Sequence, residues 1–247
     1  MFDENGKLID DNAVISPMSY ESNNTEKIYS TSDSSKKLTT YVSYVKVDNE
    51  YKIYVKQNID WITTPTARLS DIISIGYTDN IRVGEDNLYP DLEVNVTYTQ
   101  THYYKIGWKY GPGDYDEGTE VEKIKETYDG SDQSMINHEV GEYITFQLDL
   151  KDNVIIDGSS RRYYFIDKKT YSDIKITMET TFDTNISTLT GTEIKSYYTH
   201  QTGKGTFDWG KITFSSQPPY LVYQTTWYID DPSYEQSLYN SINIKFD

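Results

Sequence analysis

The stretch Leu92-Glu93-Val94-Asn95-Val96-Thr97-Tyr98-Thr99 decides the fold class of this chain. Its apolar and polar side chains alternate with a period of two, which places the apolar set on one face of a β-strand and the polar set on the other. The same alternation recurs in residues 144–150 and 174–179, and apolar runs at 41–47 and 51–55 flank a polar break that predicts a hairpin. The sequence therefore predicts an all-β protein.

The connections between these runs favour antiparallel sheets. Clusters of Gly, Pro, Asp and Asn separate the predicted strands, and such residues supply the backbone angles of tight turns. No βαβ rhythm is present, so we expect an antiparallel β-sandwich or a jelly-roll-like fold with at most one or two short helices. The helix candidates are Thr64–Ile73 and a capping-box pattern at Thr119 and Glu122, a segment that also alternates like a strand. We expect residues 1–35 to form a polar N-terminal arm or loop, and residues 36–247 to form one sandwich domain.

Charge and composition exclude several partners. The formal net charge is −16, and only four arginines are present, so nucleic acid and anionic lipid surfaces are poor partners. The chain has no cysteine, which removes disulfides and thiolate metal sites. No apolar run approaches the ~20 residues of a transmembrane helix, and the first residues lack a signal-peptide pattern. The compartment is expected to be extracellular or cell-surface, with a signal peptide already removed; a phage virion is the alternative.

The residues that usually carry catalysis are sparse. The chain has three histidines, His102, His138 and His200, and none belongs to a known catalytic motif. A structural role is expected for His102 and His200, and the chain as a whole favours binding over catalysis. The acidic loop residues Asp114, Asp116 and Glu117 supply hard oxygen ligands of the kind that Ca²⁺ prefers, although their spacing matches no calcium motif. No other cofactor is expected.

Aromatic side chains are the strongest candidates for a functional surface. Aromatic residues make up 15% of the chain and 25 of them are tyrosine, a residue that combines a large apolar ring with a polar tip. The rings cluster around a Gly-Pro-Gly turn and again near the C-terminal end. Core filling is the competing explanation for them. The predicted ligand-binding residues are Tyr103, Tyr104, Trp108, Tyr110, Tyr115, Trp227 and Tyr228. The partners considered are carbohydrate, a cell-wall polymer or another protein.

Three further functions stay open at the level of sequence. The segment 174–195 joins alternating apolar residues to many Ser and Thr, a pattern typical of the hairpins that β-pore-forming toxins insert into membranes. A phage structural protein is a second alternative. A carboxylate-dependent hydrolase is a third, because 39 Asp and Glu residues offer many carboxylate pairs and none is singled out.

Two short segments carry a resemblance to a protein group. The stretch Trp61-Ile62-Thr63-Thr64-Pro65-Thr66-Ala67-Arg68-Leu69-Ser70-Asp71-Ile72-Ile73 and the later Tyr198-Thr199-His200-Gln201 resemble uncharacterised secreted β-rich proteins of Gram-positive bacteria. The resemblance implies export and transfers no catalytic residue. Within it, Arg68 and Asp71 lie three apart and are expected to form a structural ion pair if this segment is a helical turn.

Overall fold

The computed structural model describes residues 27–47, 50–66, 68–77, 92–108, 116–139, 143–160, 162–185, 191–201 and 238–245. These residues form an all-β protein with one short 3₁₀ helix, Gln133–Met135. The strands are β1 Lys27–Ser32, β2 Lys36–Val47, β3 Glu50–Trp61, β4 Ser70–Gly76, β5 Glu93–Trp108, β6 Asp116–Asp129, β7 Ile136–Glu139, β8 Tyr143–Asp149, β9 Val154–Ser159, β10 Tyr163–Asn185, β11 Gly191–His200 and β12 Leu238–Lys245.

The strands form two antiparallel sheets. The larger sheet has the order β1-β2-β3-β10-β5-β6, with β9 paired to the first half of β10, and the smaller has the order β12-β11-β4-β8-β7. The long strand β10 is the centre of the larger sheet, since it pairs with β3, β5 and β9. The predicted hairpin joins β2 to β3, with Val47 opposite Glu50.

The two sheets pack against each other and enclose one apolar core. The inward residues Val94, Val96 and Tyr98 of β5 are fully buried, and they share the core cluster with Ile73 of β4 and Phe146 of β8 in the other sheet. Polar contacts also cross between the sheets. The Thr40 hydroxyl donates to Asn240 Oδ1 at 2.6 Å, and the Gln57 amide donates to the Ser74 carbonyl at 2.7 Å. The predicted sandwich is therefore confirmed.

A β-bulge divides β10 into two halves. Ser172 lies opposite Thr99 and Lys175 lies opposite Thr97, so β10 has one extra residue at this point. Asp173 in the bulge has a φ of 49°, the left-handed conformation that Asp adopts more readily than most residues. The extra residue changes which parity faces the core, from odd numbers up to Tyr171 to even numbers from Ile174 onward.

Three sequence expectations differ from this structure. The helix predicted over Thr64–Ile73 is wrong, because Ser70–Gly76 is a strand at the centre of the smaller sheet, where β-branched residues pack on both faces. At the capping-box pattern of Thr119 the helix alternative is wrong and the strand alternative is confirmed, since this segment lies within β6. Lys27–Ser32, inside the predicted N-terminal arm, is the strand β1.

The hairpin predicted over residues 174–195 is also wrong. β10 ends at Asn185 in the larger sheet, and β11 begins at Gly191 in the smaller one, so the two strands do not pair with each other. The alternation that suggested a membrane-inserting hairpin comes from two strands that each bury one face in the sandwich core.

Candidate functional site

One end of the larger sheet extends beyond the sandwich. We call this region the distal extension; it comprises residues 99–108 of β5, residues 163–172 of β10, residues 116–123 of β6, and β9. Its four strands lie in the order β9-β10-β5-β6. Along one face of β5, the exposed fraction of the side chain rises from 0% at Tyr98 to 46% at Trp108, because the smaller sheet no longer covers this end of the strand.

Exposed apolar side chains concentrate on the distal extension. It holds eight of the twelve large hydrophobic side chains that are exposed among the described residues. Six of the eight share the face that continues the core side of the sheet, because residues directly opposite in an antiparallel ladder lie on one face. We call this set the apolar face; its members are Ile106, Trp108, Val154, Ile156, Tyr163 and Phe165, each between 39% and 50% exposed.

Two glycines let aromatic rings lie flat on this face. A Cβ added to Gly158 would lie 2.4 Å from Cζ of Phe165, its cross-strand neighbour, and a Cβ added to Gly118 would lie 2.5 Å from Cζ of Tyr104. Each ring therefore covers the glycine of the next strand, an arrangement that shields a glycine in a sheet. The rings consequently cover the sheet and present a flat aromatic surface to solvent.

A tilted ring pair forms the outer end of the apolar face. Trp108 and Tyr163 lie directly opposite each other, with ring centroids 4.5 Å apart. The inner end is polar. His102 Nε2 lies 2.9 Å from Asp167 Oδ1, and His102 Nδ1 lies 3.9 Å from the Glu120 carboxylate. These polar groups lie beside Ile156, whose cross-strand neighbour is Asp167, so the apolar face and the polar groups overlap at this level.

The opposite face of the distal extension is polar at the same level. Glu117 accepts hydrogen bonds from the Tyr103 hydroxyl and from Lys105 Nζ, both at 2.8 Å. The hydrogen bond from Lys105, followed by that from Tyr103, lowers the pKa of Glu117. The same carboxylate raises the pKa of the Tyr103 phenol. Tyr103 thus lies on the opposite face from its sequence neighbour Tyr104, and its hydroxyl is hydrogen-bonded to the Lys105–Glu117 ion pair.

The predicted binding residues are only partly brought together. Tyr104 and Trp108 lie on one face of β5, and Tyr103 lies on the other. Tyr110, Tyr115, Trp227 and Tyr228 lie outside the described residues. The remaining five members of the apolar face were missed at the sequence level, although Val154-Ile155-Ile156 and Tyr163-Tyr164-Phe165 are visible apolar runs. The bulge in β10 concealed Tyr163 and Phe165, because it breaks the alternation that begins again at Ile174.

The calcium candidates are only partly within the described part of the chain. Asp116 and Glu117 begin β6, where Glu117 is paired with Lys105, and Asp114 lies outside the described residues. Among the described residues, no cluster of three or more His, Cys, Asp or Glu side chains is arranged to hold a metal ion. Calcium binding by this loop stays a prediction.

The histidines lie on different strands. His102 is on β5, His138 on β7 and His200 on β11, and the strands β4 and β8 lie between the last two. His200 Nδ1 lies 2.5 Å from Oδ1 of Asp71, and the Tyr198 hydroxyl donates to Asp71 Oδ2 at 2.9 Å.

Asp71, Tyr198 and His200 form a buried polar cluster, and its burial indicates its role. Asp71 and His200 are at most 1% exposed, and the Trp61 ring lies edge-on to His200 with centroids 4.8 Å apart. Burial raises the pKa of Asp71, while the hydrogen bond from His200 opposes that rise. The cluster is enclosed, and its hydrogen bonds join β4 to β11, so its role is structural. Asp71 does not pair with Arg68, which instead donates to the carbonyls of Lys151 and Tyr171.

Comparison with known proteins gives only distant similarities. No family model and no curated protein matches the chain. Among solved structures, it is similar to Clostridium perfringens delta-toxin, with a TM-score of 0.33 and 9% identity over 72% of this chain and 78% of the toxin. It is also similar to the membrane-inserted form of Clostridium perfringens NetB toxin, with a TM-score of 0.26 and 7% identity over 70% of this chain and 82% of that one.

A third structure, described as a pore forming protein, has a TM-score of 0.31 and 7% identity, with 71% of this chain and 78% of that one covered. Pore formation is among the alternatives raised by the sequence. TM-scores below 0.5 assign no function to this chain. The described residues, for their part, contain no helix with the length and apolar character needed to cross a membrane.

Proposed function

We propose that this protein is exported and binds the interfacial region of a zwitterionic lipid membrane through the apolar face. One observation carries the proposal. Six large apolar side chains stand half-exposed on one face of a sheet, at the level where the second sheet no longer covers it. An apolar patch of this kind on the surface of a protein is often a functional contact surface.

The size of the patch suits reversible binding. Six side chains of this size and exposure leave about 400 Å² of apolar surface in contact with water. At about 25 cal/mol per Å², burying it gains about 10 kcal/mol, an upper bound. Association costs of roughly 4–15 kcal/mol oppose this gain, so weak, reversible attachment is expected.

The chemistry of the face suits the lipid–water boundary. Trp108 and Tyr163 combine an apolar ring with a polar tip, the type of side chain enriched where membrane meets water. Ile106, Val154 and Ile156 add aliphatic surface without any polar group, which favours lipid over a carbohydrate. The net charge of −16 favours zwitterionic over anionic lipids.

Vesicle binding tests the proposal. The protein is sedimented with vesicles of phosphatidylcholine and, separately, with vesicles rich in phosphatidylglycerol. Binding to the first and weaker binding to the second are expected. Trp108 fluorescence should fall when the lipid chains carry bromine, and the Trp108→Phe variant should lose that part of the response. Absence of binding to phosphatidylcholine vesicles, together with retention on a carbohydrate polymer, would overturn the proposal.

A matched pair of variants tests the location of the contact. Ile106 on the apolar face and Ile28 on β1 are exposed by 47% and 50%. Ile106→Ser should weaken vesicle binding about fivefold, since roughly 1 kcal/mol of apolar burial is lost. Ile28→Ser should leave binding unchanged. Equal weakening by the two changes would contradict a specific role of this face.

The same vesicles test the pore-forming alternative. Vesicles loaded with a self-quenched dye release it when a pore forms. Binding without release supports attachment alone, whereas release would add permeabilisation to the function. Residues 174–195 cannot supply a preformed hairpin for it, because β10 and β11 belong to different sheets.

A further inference from the structure

The outer edge of β9 is open. β9 pairs with β10 from Val154 opposite Lys169 to Ser159 opposite Tyr164, and within the described part of the chain no strand pairs with its other side. Residues 154–157 are all exposed. An open edge presents a row of backbone N–H and C=O groups that another strand can pair with.

The two edges of the distal extension differ in their protection. β6, on the far side, carries Glu117, Glu120, Glu122, Lys123 and Lys125, and charged side chains on an edge strand discourage pairing with other chains. β9 has the sequence Val-Ile-Ile-Asp-Gly-Ser and one charged residue, Asp157. It has no lysine and no proline. The protection that β6 has is therefore missing from β9.

We propose that two copies of this chain associate by antiparallel pairing of their β9 strands. The partner is a second copy because β9 complements itself. Each chain carries a net charge of −16, and β9, with Asp157 as its one charged residue, adds little to the repulsion between two copies. Antiparallel pairing of identical strands gives a closed two-fold dimer.

The side chains select the register of this pairing. A two-fold axis perpendicular to the sheet sets residues of the same parity opposite each other. With the axis at Ile155, each Ile155 faces its counterpart and Val154 faces Ile156 of the other copy. Asn153 then lies opposite Asp157, which places an amide beside a carboxylate. Moving the axis to Ile156 would set Ile155 against Asp157, so the first register is favoured.

Pairing would also enlarge the apolar face. The axis is perpendicular to the sheet, so the apolar faces of both copies lie on the same side of one continuous eight-stranded sheet. Val154 and Ile156 of each copy then adjoin those of the other. The dimer does not depend on lipid, so its test is separate from the vesicle tests above.

Sedimentation velocity in lipid-free buffer tests the dimer. The contact is small, so a dissociation constant of about 10 μM is expected. The sedimenting mass should rise with concentration from 28.7 kDa toward twice that value. Ile155→Lys should shift the dissociation constant upward at least tenfold, because it places like charges opposite each other on the axis. A mass that stays at the monomer value at every concentration would overturn the proposal.

Val121 provides a matched control on the other edge. It is 66% exposed, against 63% for Ile155, and both lie on the side of the extension away from the apolar face. Val121→Lys should leave the dimer intact. If it weakens the dimer as much as Ile155→Lys does, β9 is not the contact. Ile155→Lys should still bind phosphatidylcholine vesicles, so loss of the dimer and loss of the proposed function are distinguishable.

A cysteine cross-link tests the register directly. The chain has no cysteine, so Ile155→Cys introduces a single thiol. In the favoured register the two copies of this residue lie within disulfide distance. Mild oxidation should give a covalent dimer with Ile155→Cys and none with Val121→Cys. Cross-linking by both variants, or by neither, would contradict the pairing.

Discussion

Replacing Asp71 with alanine tests the structural role of the buried polar cluster. Asp71 is 0% exposed and accepts hydrogen bonds from Tyr198 at 2.9 Å and from His200 at 2.5 Å. Asp71→Ala removes both, and each buried group that loses a hydrogen bond costs about 1–3 kcal/mol. The expected loss in the free energy of unfolding is therefore about 3–5 kcal/mol, a large part of the stability of a typical domain.

Urea unfolding followed by tryptophan fluorescence measures this loss. Trp61 is a suitable reporter, because its ring contacts His200 and is 8% exposed. Tyr198→Phe removes one of the two hydrogen bonds and keeps the ring, so a loss of about 1–2 kcal/mol is expected; this variant keeps the test valid if Asp71→Ala does not fold.

A surface aspartate provides the control. Asp60 pairs with Lys175 at 3.3 Å, and both side chains are well exposed, so Asp60→Ala should cost less than about 1 kcal/mol. If Asp71→Ala also cost less than about 1 kcal/mol, the cluster would not hold β4 to β11, and the reasoning from burial would be refuted.

Three further predictions concern the bulge, the distal extension and the first turn. Asp173→Gly should keep or slightly raise stability in urea, whereas Asp173→Val should lose about 1–2 kcal/mol, because φ is 49° there; equal stability of the two would contradict the bulge geometry. Gly158→Ala should cost about 1 kcal/mol in the native chain and nothing in a Phe165→Ala background, since the added Cβ meets that ring; a double-mutant cycle measures the difference, and zero coupling would place the ring elsewhere. Burial raises the pKa of Asp33, but hydrogen bonds from Lys36 and Ser35 outweigh this and leave it well below its usual value, so the carboxylate stabilises the fold above about pH 4 and this contribution is lost as the pH falls. The urea midpoint of Asp33→Asn should therefore change less between pH 7 and pH 3 than that of the unmodified chain, and an unchanged pH dependence would contradict the assignment.

The strands with regular alternation could be predicted from sequence, together with the faces they bury. Leu92, Val94, Val96 and Tyr98 are all buried, as predicted, because alternation reports directly which side of a strand meets the core. The outcome differs in β2, where Val42 and Tyr44 are buried and the alternating set that includes Tyr41 and Val45 is only half-buried. Both parities of this strand carry apolar residues, so alternation alone does not choose between them.

The candidate surface could be predicted only in part. Tyr104 and Trp108 were singled out from their ring chemistry, but Ile106 between them was not, since an isoleucine in a strand normally lies in the core. Its exposure depends on where the smaller sheet ends. The end of the smaller sheet is set by the lengths of its own strands, and the residues of β5 carry no information about those lengths.

The sequence by itself determined the class of this protein: its strands, its antiparallel character and its strong negative charge follow from local side-chain periodicity and composition. Only the tertiary structure decided how the strands pair. It placed β10 and β11 in different sheets, made residues 70–76 a central strand, brought Asp71 to His200 across 129 positions and left the apolar face and the β9 edge uncovered. The physical reason is that pairing and burial depend on contacts between residues distant in the chain, whereas periodicity reports only on neighbours.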